Sequence, residues 1–134
     1  MGAPAARLND SVLGADTHIV MVPSATGSVP TPIPGHVFSG TLTSDASPDV
    51  KIEGAAAAVV GTVATNNPPH VPMPPGVSFQ TPPSNRGKVS QGSSTVTING
   101  KAAARLGDPV RTCNDPTDLD TSAIVSGAAK VTIG

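Results

Sequence analysis

The sequence predicts an all-β protein, and three observations carry that prediction. With 14 Gly and 15 Pro in 134 residues, long helices are interrupted almost everywhere, and short strands joined by turns are the better default. The alternating pattern Val-x-Ile occurs three times, as Val50-Lys-Ile52, Val96-Thr-Ile98 and Val131-Thr-Ile133. That alternation marks a strand with one buried face. Finally, Asn99-Gly100 is the two-residue signal for a type I′ hairpin turn, because both central positions of that turn need positive φ.

Taken in chain order, the elements form a repeat. Pro4-Ala5-Ala6-Arg7-Leu8 with Asp10 is echoed by Ala103-Ala104-Arg105-Leu106 with Asp108. An offset of 52 superposes His18, Met21 and Pro23 on His70, Met73 and Pro75, and Ala5-Ala6 on Ala57-Ala58. The same offset places Gly35, Val37 and Gly40 on Gly87, Val89 and Gly92; Val37/Gly40, Val89/Gly92 and Ile124/Gly127 then form a recurring apolar-x-x-Gly pair. The chain reads as three related β units, roughly residues 1–49, 50–95 and 96–134 of one domain, with each Ala-Ala segment the return strand of a hairpin. Residues 55–60, AAAAVV, have helical propensity, but the equivalent segment after Gly100 follows a hairpin turn, and so short an isolated helix is marginal. Segments 20–36 and 71–88 hold most of the prolines and read as extended loops.

Composition narrows the function classes. A net charge of −1 with 13% charged residues argues against a nucleic-acid backbone binder, and no nucleic-acid partner is expected. There is no apolar run of membrane-spanning length and no signal-peptide pattern, which predicts cytoplasmic synthesis. With 1% aromatic residues and no Trp or Tyr, the core must be built from Val, Ile, Ala and Leu, which bury less surface per residue than aromatics. Such a core calls for a staple. A single cysteine cannot supply an internal disulfide, so Cys113 is a small buried apolar residue, a nucleophile or a metal ligand.

The chain's entire complement of His and Cys is His18, His36, His70 and Cys113. A Cys-His₃ set makes a closed tetrahedral zinc site, because imidazole and thiolate suit a borderline-soft d¹⁰ ion. His18 lies eight residues after Asp10, and His70 eight after the equivalent Thr62, so the repeat brings those two to matching places. His36 gains no such support, since its repeat equivalent is Lys88. The bland reading is three ordinary loop histidines and a buried thiol. Asp115, Asp118 and Asp120 hint at calcium but lack the Gly and Glu of an EF-hand loop, and turns around Pro116 account for them. Arg7 and Arg105, each with an Asp three residues on, read as local ion pairs that fix a turn.

Pro4-Ala5-Ala6-Arg7, the V-x-I-N-G-x-x-A-A-R-x-G-D block at 96–108 and the threefold repeat together resemble a PAAR-repeat protein, the spike tip of type VI secretion systems and related contractile injection machines. The resemblance covers essentially the whole chain. The departures are Ala57-Ala58-Val59-Val60, which lacks the Arg, and the longer Pro-rich loops, which suit extracellular phage-tail-like systems as well as type VI. The resemblance implies a small cone of three pseudo-threefold-related β-hairpin units. At its apex is one structural Zn²⁺ held by His18, His36, His70 and Cys113, and its base caps a trimeric spike protein, VgrG-like or of the phage central-spike type. Such a tip sharpens the spike for membrane puncture during effector delivery, touches the target membrane only transiently, and ends outside the cell or in the target. With the first motif at Pro4 and the last strand ending at Gly134, no fused effector domain is expected and cargo would bind noncovalently. The rival class is a small hydrolase, using zinc or a Cys113/His70 pair. A catalytic zinc usually wants a neighbouring carboxylate base, and the only Glu, Glu53, sits in a hairpin turn far in sequence from every His. No catalytic residue is expected.

Overall fold

Period-two burial organises the chain. Along β2 (Ser11–Ser24) the buried side chains are Val12, Asp16, His18 and Val20, all on one face of the strand. β2 pairs antiparallel with β3 (Gly27–Ser44), β3 with β6 (Val63–Asn66), and β6 with β8 (Arg86–Val89). β8 then pairs with β11 (Pro109–Thr112), β11 with β12 (Leu119–Ile124), and β12 returns to β2 through Ser122–Gly14 to Ile124–Val12. The protein is therefore all-β, built on a closed six-stranded antiparallel barrel whose strands follow sequence order, which leaves the barrel no free edge. The computed structural model describes residues 2–134, so residue 1, where the first repeat unit begins, lies outside the described residues; no helix occurs among them.

Small residues let the barrel close tightly. A Cβ on Gly40 would stand 2.0 Å from the Thr65 carbonyl oxygen, and one on Gly14 would stand 2.1 Å from Ser122 Oγ. The interior is filled by Val12, Phe38, Leu42, Ala64, Val89, Val110 and Ile124.

At one end of the barrel the three Ala-Ala segments meet. Ala6 N–H donates to Ala104 O, Ala104 N–H to Ala58 O, and Ala58 N–H to Ala6 O, a closed ring of three hydrogen bonds of 2.9–3.0 Å. Two residues further on a second ring runs in the opposite sense, Leu8 N–H to Ala56 O, Val60 N–H to Ala102 O and Leu106 N–H to Pro4 O. The doublet itself follows from strand alternation. Ala6, Ala58 and Ala104 turn their methyls into the barrel core, while Ala5, Ala57 and Ala103 turn theirs into a second cluster with Ile52, Ala128 and Ile133. All six alanines are fully buried, and nothing larger than a methyl fits where three strands cross.

Below this ring hang three two-stranded hairpins. β4 (Lys51–Ile52) pairs with β5 (Ala55–Ala56) and β9 (Thr97–Ile98) with β10 (Lys101–Ala102). Their turns, Glu53-Gly54 and Asn99-Gly100, have positive φ at both residues, as a type I′ turn requires. The third hairpin is made by the two ends of the chain: β1 (Ala3–Pro4) pairs with β13 (Thr132–Ile133). The first Ala-Ala-Arg segment therefore lies beside the last Val-x-Ile strand.

Each Ala-Ala segment ends in the same turn. Asp10 Oδ2 accepts the Arg7 N–H at 2.7 Å, Asp108 Oδ2 the Arg105 N–H at 2.7 Å, and Thr62 Oγ1 the Val59 N–H at 2.9 Å. The guanidinium of Arg105 closes on Asp108 at 2.9 Å and that of Arg7 on Asp10 at 3.3 Å. In the middle unit Arg and Asp are both replaced, so the turn survives without a carboxylate lacking its cation. The arginines are thus local turn-fixing partners.

Two sequence readings are corrected here. Residues 20–36 are the outer half of the β2–β3 hairpin and not a loop. Pro30 and Pro32 pair with Met21 and Ile19 at sites whose nitrogens face away from β2, so the missing N–H groups cost no ladder bond. The period-two spacing of Pro30, Pro32 and Pro34 was the legible signal. Segment 71–88 is irregular apart from the short β7 (Ser78–Phe79), which pairs with Val20 and Met21 of β2, and the start of β8. Secondly, Val37 is not the partner of Val89 and Ile124, for it is 59% exposed. Leu42, Val89 and Ile124 are the matching residues, since their N–H groups donate to the carbonyls of Asp10, Thr62 and Asp108 respectively. The offset of 52 holds through the hairpins and then breaks, because the loops between strands differ in length.

Candidate metal centre

At the barrel end away from the hairpins, β2 carries Asp16 and His18 inward as neighbours on one face, and Cys113 follows directly on β11. His70 comes from the segment after β6, and His36 from the inner face of β3. The structure brings all four sequence-chosen residues together. The ring centroids of His18 and His70 are 4.9 Å apart, those of His18 and His36 5.3 Å, and those of His36 and His70 5.8 Å. The Cys113 Sγ lies 3.7 Å from His18 Nε2. Phe79 packs on the rings of His18 and His36, both at 5.6 Å, and covers the cluster from the Pro-rich segment.

Asp16, which the sequence reading did not single out, belongs to the cluster. Asp16, His18, His70 and Cys113 each offer a ligand atom, and these atoms all lie within 4.8 Å of one another. The available signal was Asp16-x-His18, which on a strand puts two donors on one face; the sequence reading assigns no strand there. The carboxylate is fully buried and held on both sides. Oδ1 accepts from Thr112 Oγ1 at 2.6 Å, Thr121 Oγ1 at 2.8 Å and Asn114 Nδ2 at 3.3 Å, while Oδ2 faces His70 Nε2 at 2.9 Å and Cys113 Sγ at 3.6 Å. Burial pushes the Asp16 carboxyl up, but hydrogen bonds from His70, Thr112 and Thr121 outweigh it and hold the group below the usual carboxylate range. Burial, aided by the Asp16 charge, pushes the Cys113 thiol up to about 11. Burial and the neighbouring His18 lower His36.

The second set of contacts fixes the rings. His18 Nδ1 lies 3.3 Å from Asp115 Oδ2, which also accepts the Ile19 N–H at 2.9 Å. His36 Nδ1 lies 3.1 Å from the Ile33 carbonyl, and its Nε2 accepts the Met73 N–H at 3.2 Å. Asp115 is thus engaged with His18, and Asp120 pairs with Arg111 at 3.3 Å.

The donor chemistry fits a tetrahedral ion. With metal–nitrogen bonds of about 2.0–2.1 Å and a metal–sulfur bond of about 2.3 Å, a Cys–His edge spans about 3.5 Å and imidazole centroids sit about 5 Å apart. The 3.7 Å Sγ–Nε2 distance and the 4.9–5.8 Å centroid distances match that scale. A cysteine sulfur and imidazole nitrogens are donors that suit such an ion.

The fold is a small closed β-barrel with hairpins at one end and, at the other, a group of side chains that could hold a metal ion. The family model described as PAAR motif matches residues 80–134, so that segment carries the motif. The match takes in the 96–108 block and Cys113 and leaves the first motif copy outside it. No curated protein matches the chain.

Proposed function

We propose that this chain is the tip of a contractile injection machine, of the type VI or the extracellular phage-tail-like kind, capping a trimeric spike through its hairpin end and sharpened by a structural zinc at its other end. The observation that carries this is the cyclic ring of Ala6, Ala104 and Ala58, with three hairpins hung from it. That arrangement supports pseudo-threefold symmetry, which lets one chain meet three identical subunits in equivalent ways. The PAAR motif supports the spike partner. His18, His36, His70 and Cys113 would hold the ion, which would supply cross-linking of β2, β3, β11 and the segment after β6 where the barrel end is too narrow for a hydrophobic core. The role is structural and non-enzymatic, consistent with a Cys113 that is only 3% exposed. The chain is made in the cytoplasm, assembled on the spike and carried out with it.

The test is assembly with a trimeric VgrG-like spike, followed by size and by images of the complex. One chain per trimer, seated on the spike end by its hairpins, is expected. Val50→Asp with Val131→Asp, at base positions 37% and 36% exposed, should abolish the complex while zinc content is kept. A wild-type protein that fails to bind, or a variant that binds unchanged, overturns the proposal.

A further inference from the structure

The histidines are each tied by one ring nitrogen to an oxygen, two of these being carboxylate oxygens and one a backbone carbonyl. His18 uses Nδ1 toward Asp115, His36 uses Nδ1 toward the Ile33 carbonyl, and His70 uses Nε2 toward Asp16. A carboxylate or carbonyl only accepts, so each of these nitrogens carries the proton. The lone pairs then remain on His18 Nε2, His36 Nε2 and His70 Nδ1. His36 Nε2 accepts the Met73 N–H in this structure, so that hydrogen bond must open for His36 to bind an ion through Nε2.

Asp16 has two conceivable parts in the site, ligand or holder. Two donors on one tetrahedral ion keep about 3.3 Å between nitrogen and oxygen, given bonds of about 2.0–2.1 Å. Asp16 Oδ2 and His70 Nε2 are 2.9 Å apart, the length of a charge-assisted hydrogen bond. The other carboxylate oxygen is fully occupied by Thr112, Thr121 and Asn114, which fixes the Asp16 plane from β11 and β12.

We propose that Asp16 is a positioning residue and not a ligand: it holds His70 by Nε2–H so that Nδ1 faces the ion, while Asp115 holds His18 the other way round, by Nδ1–H with Nε2 facing the ion. The histidines of the repeat-matched pair, His18 and His70, thus bind through different nitrogens. Asp16 also links the two hairpins β2–β3 and β11–β12 to the orientation of a ligand from the third, so the ion reads the closure of the barrel. Outer carboxylates of this kind raise ligand basicity, and their loss costs about 10–100-fold in metal affinity.

This inference rests on the zinc reading above. The deciding experiment is a long-range ¹H–¹⁵N spectrum of the zinc-loaded wild-type chain, which identifies the protonated nitrogen of each ring. Protonated Nε2 on His70 with protonated Nδ1 on His18 is expected; metal on Nε2 of His70 overturns the inference. A wild-type chain that takes up no zinc instead refutes the underlying reading. In cobalt-loaded protein, Asp16→Asn should leave the visible ligand-field and thiolate charge-transfer bands in place with about 10–100-fold weaker binding, whereas His36→Ala should change the bands. Bands that change in Asp16→Asn and persist in His36→Ala would make Asp16 the ligand.

Discussion

Removing the Asp108 carboxylate should cost far more than removing the arginine beside it. Asp108 is buried and accepts the Arg105 backbone N–H at 2.7 Å as well as its guanidinium at 2.9 and 3.1 Å. The backbone bond to a charged acceptor is worth about 1.5–3 kcal/mol, and its loss orphans an N–H in a tight turn. The side-chain pair, with Arg105 27% exposed, adds about 0.2–1 kcal/mol. Asp108→Ala should therefore lose about 2–4 kcal/mol, and Arg105→Val about 1 kcal/mol or less. The middle unit supplies the compensated form, with Val59 and Thr62 in the same turn and the backbone bond retained at 2.9 Å. The double variant Arg105→Val with Asp108→Thr should consequently be more stable than Asp108→Ala alone. Urea unfolding of zinc-loaded protein measures all three, and Asp108→Thr alone completes the double-mutant cycle that isolates the coupling. A double variant as unstable as Asp108→Ala would show that the middle turn is not the same device, and the equivalence of the three turns would fall with it. The same logic applies in reverse: Val59→Arg alone should destabilise, because Thr62 cannot pair with the new charge, and Thr62→Asp should restore it.

Further perturbations separate sterics from conformation. Gly40→Ala drives a Cβ to within 2.0 Å of a backbone carbonyl and should lower the melting temperature far more than Gly54→Ala, which meets no neighbour and should cost about 1–2 kcal/mol through its φ of +85°. Replacing Pro30 and Pro32 by Thr should leave the monomer folded but give β3 outward N–H groups, so concentration-dependent association in sedimentation is expected; an unchanged monomer would refute the edge-blocking role. Stripping metal with a chelator should lower thermal stability sharply and reversibly, with zinc restoring it; a melting curve indifferent to chelator and zinc would remove the staple.

The sequence by itself determined the local chemistry. Strand class, hairpin turns at Asn99-Gly100, the tripled Val-x-Ile and the Arg–Asp turns follow from alternation, φ preferences and spacing, which are properties of a few adjacent residues. The four His and Cys residues could also be chosen, because the chain contains no others. What the tertiary structure decided depends on residues far apart. The closing of the barrel by β12 on β2, the pairing of the two chain ends into the third hairpin, and the true match of Leu42 with Val89 and Ile124 all rest on backbone hydrogen bonds between distant segments. No local pattern encodes those pairings when the connecting loops differ in length. Asp16 had only the local signal of its strand spacing to His18; its surroundings, Thr112, Thr121 and His70 from three other parts of the chain, are set by the fold. Desolvation, hydrogen bonding and ligand geometry act through space, and only the closed barrel says which residues share that space.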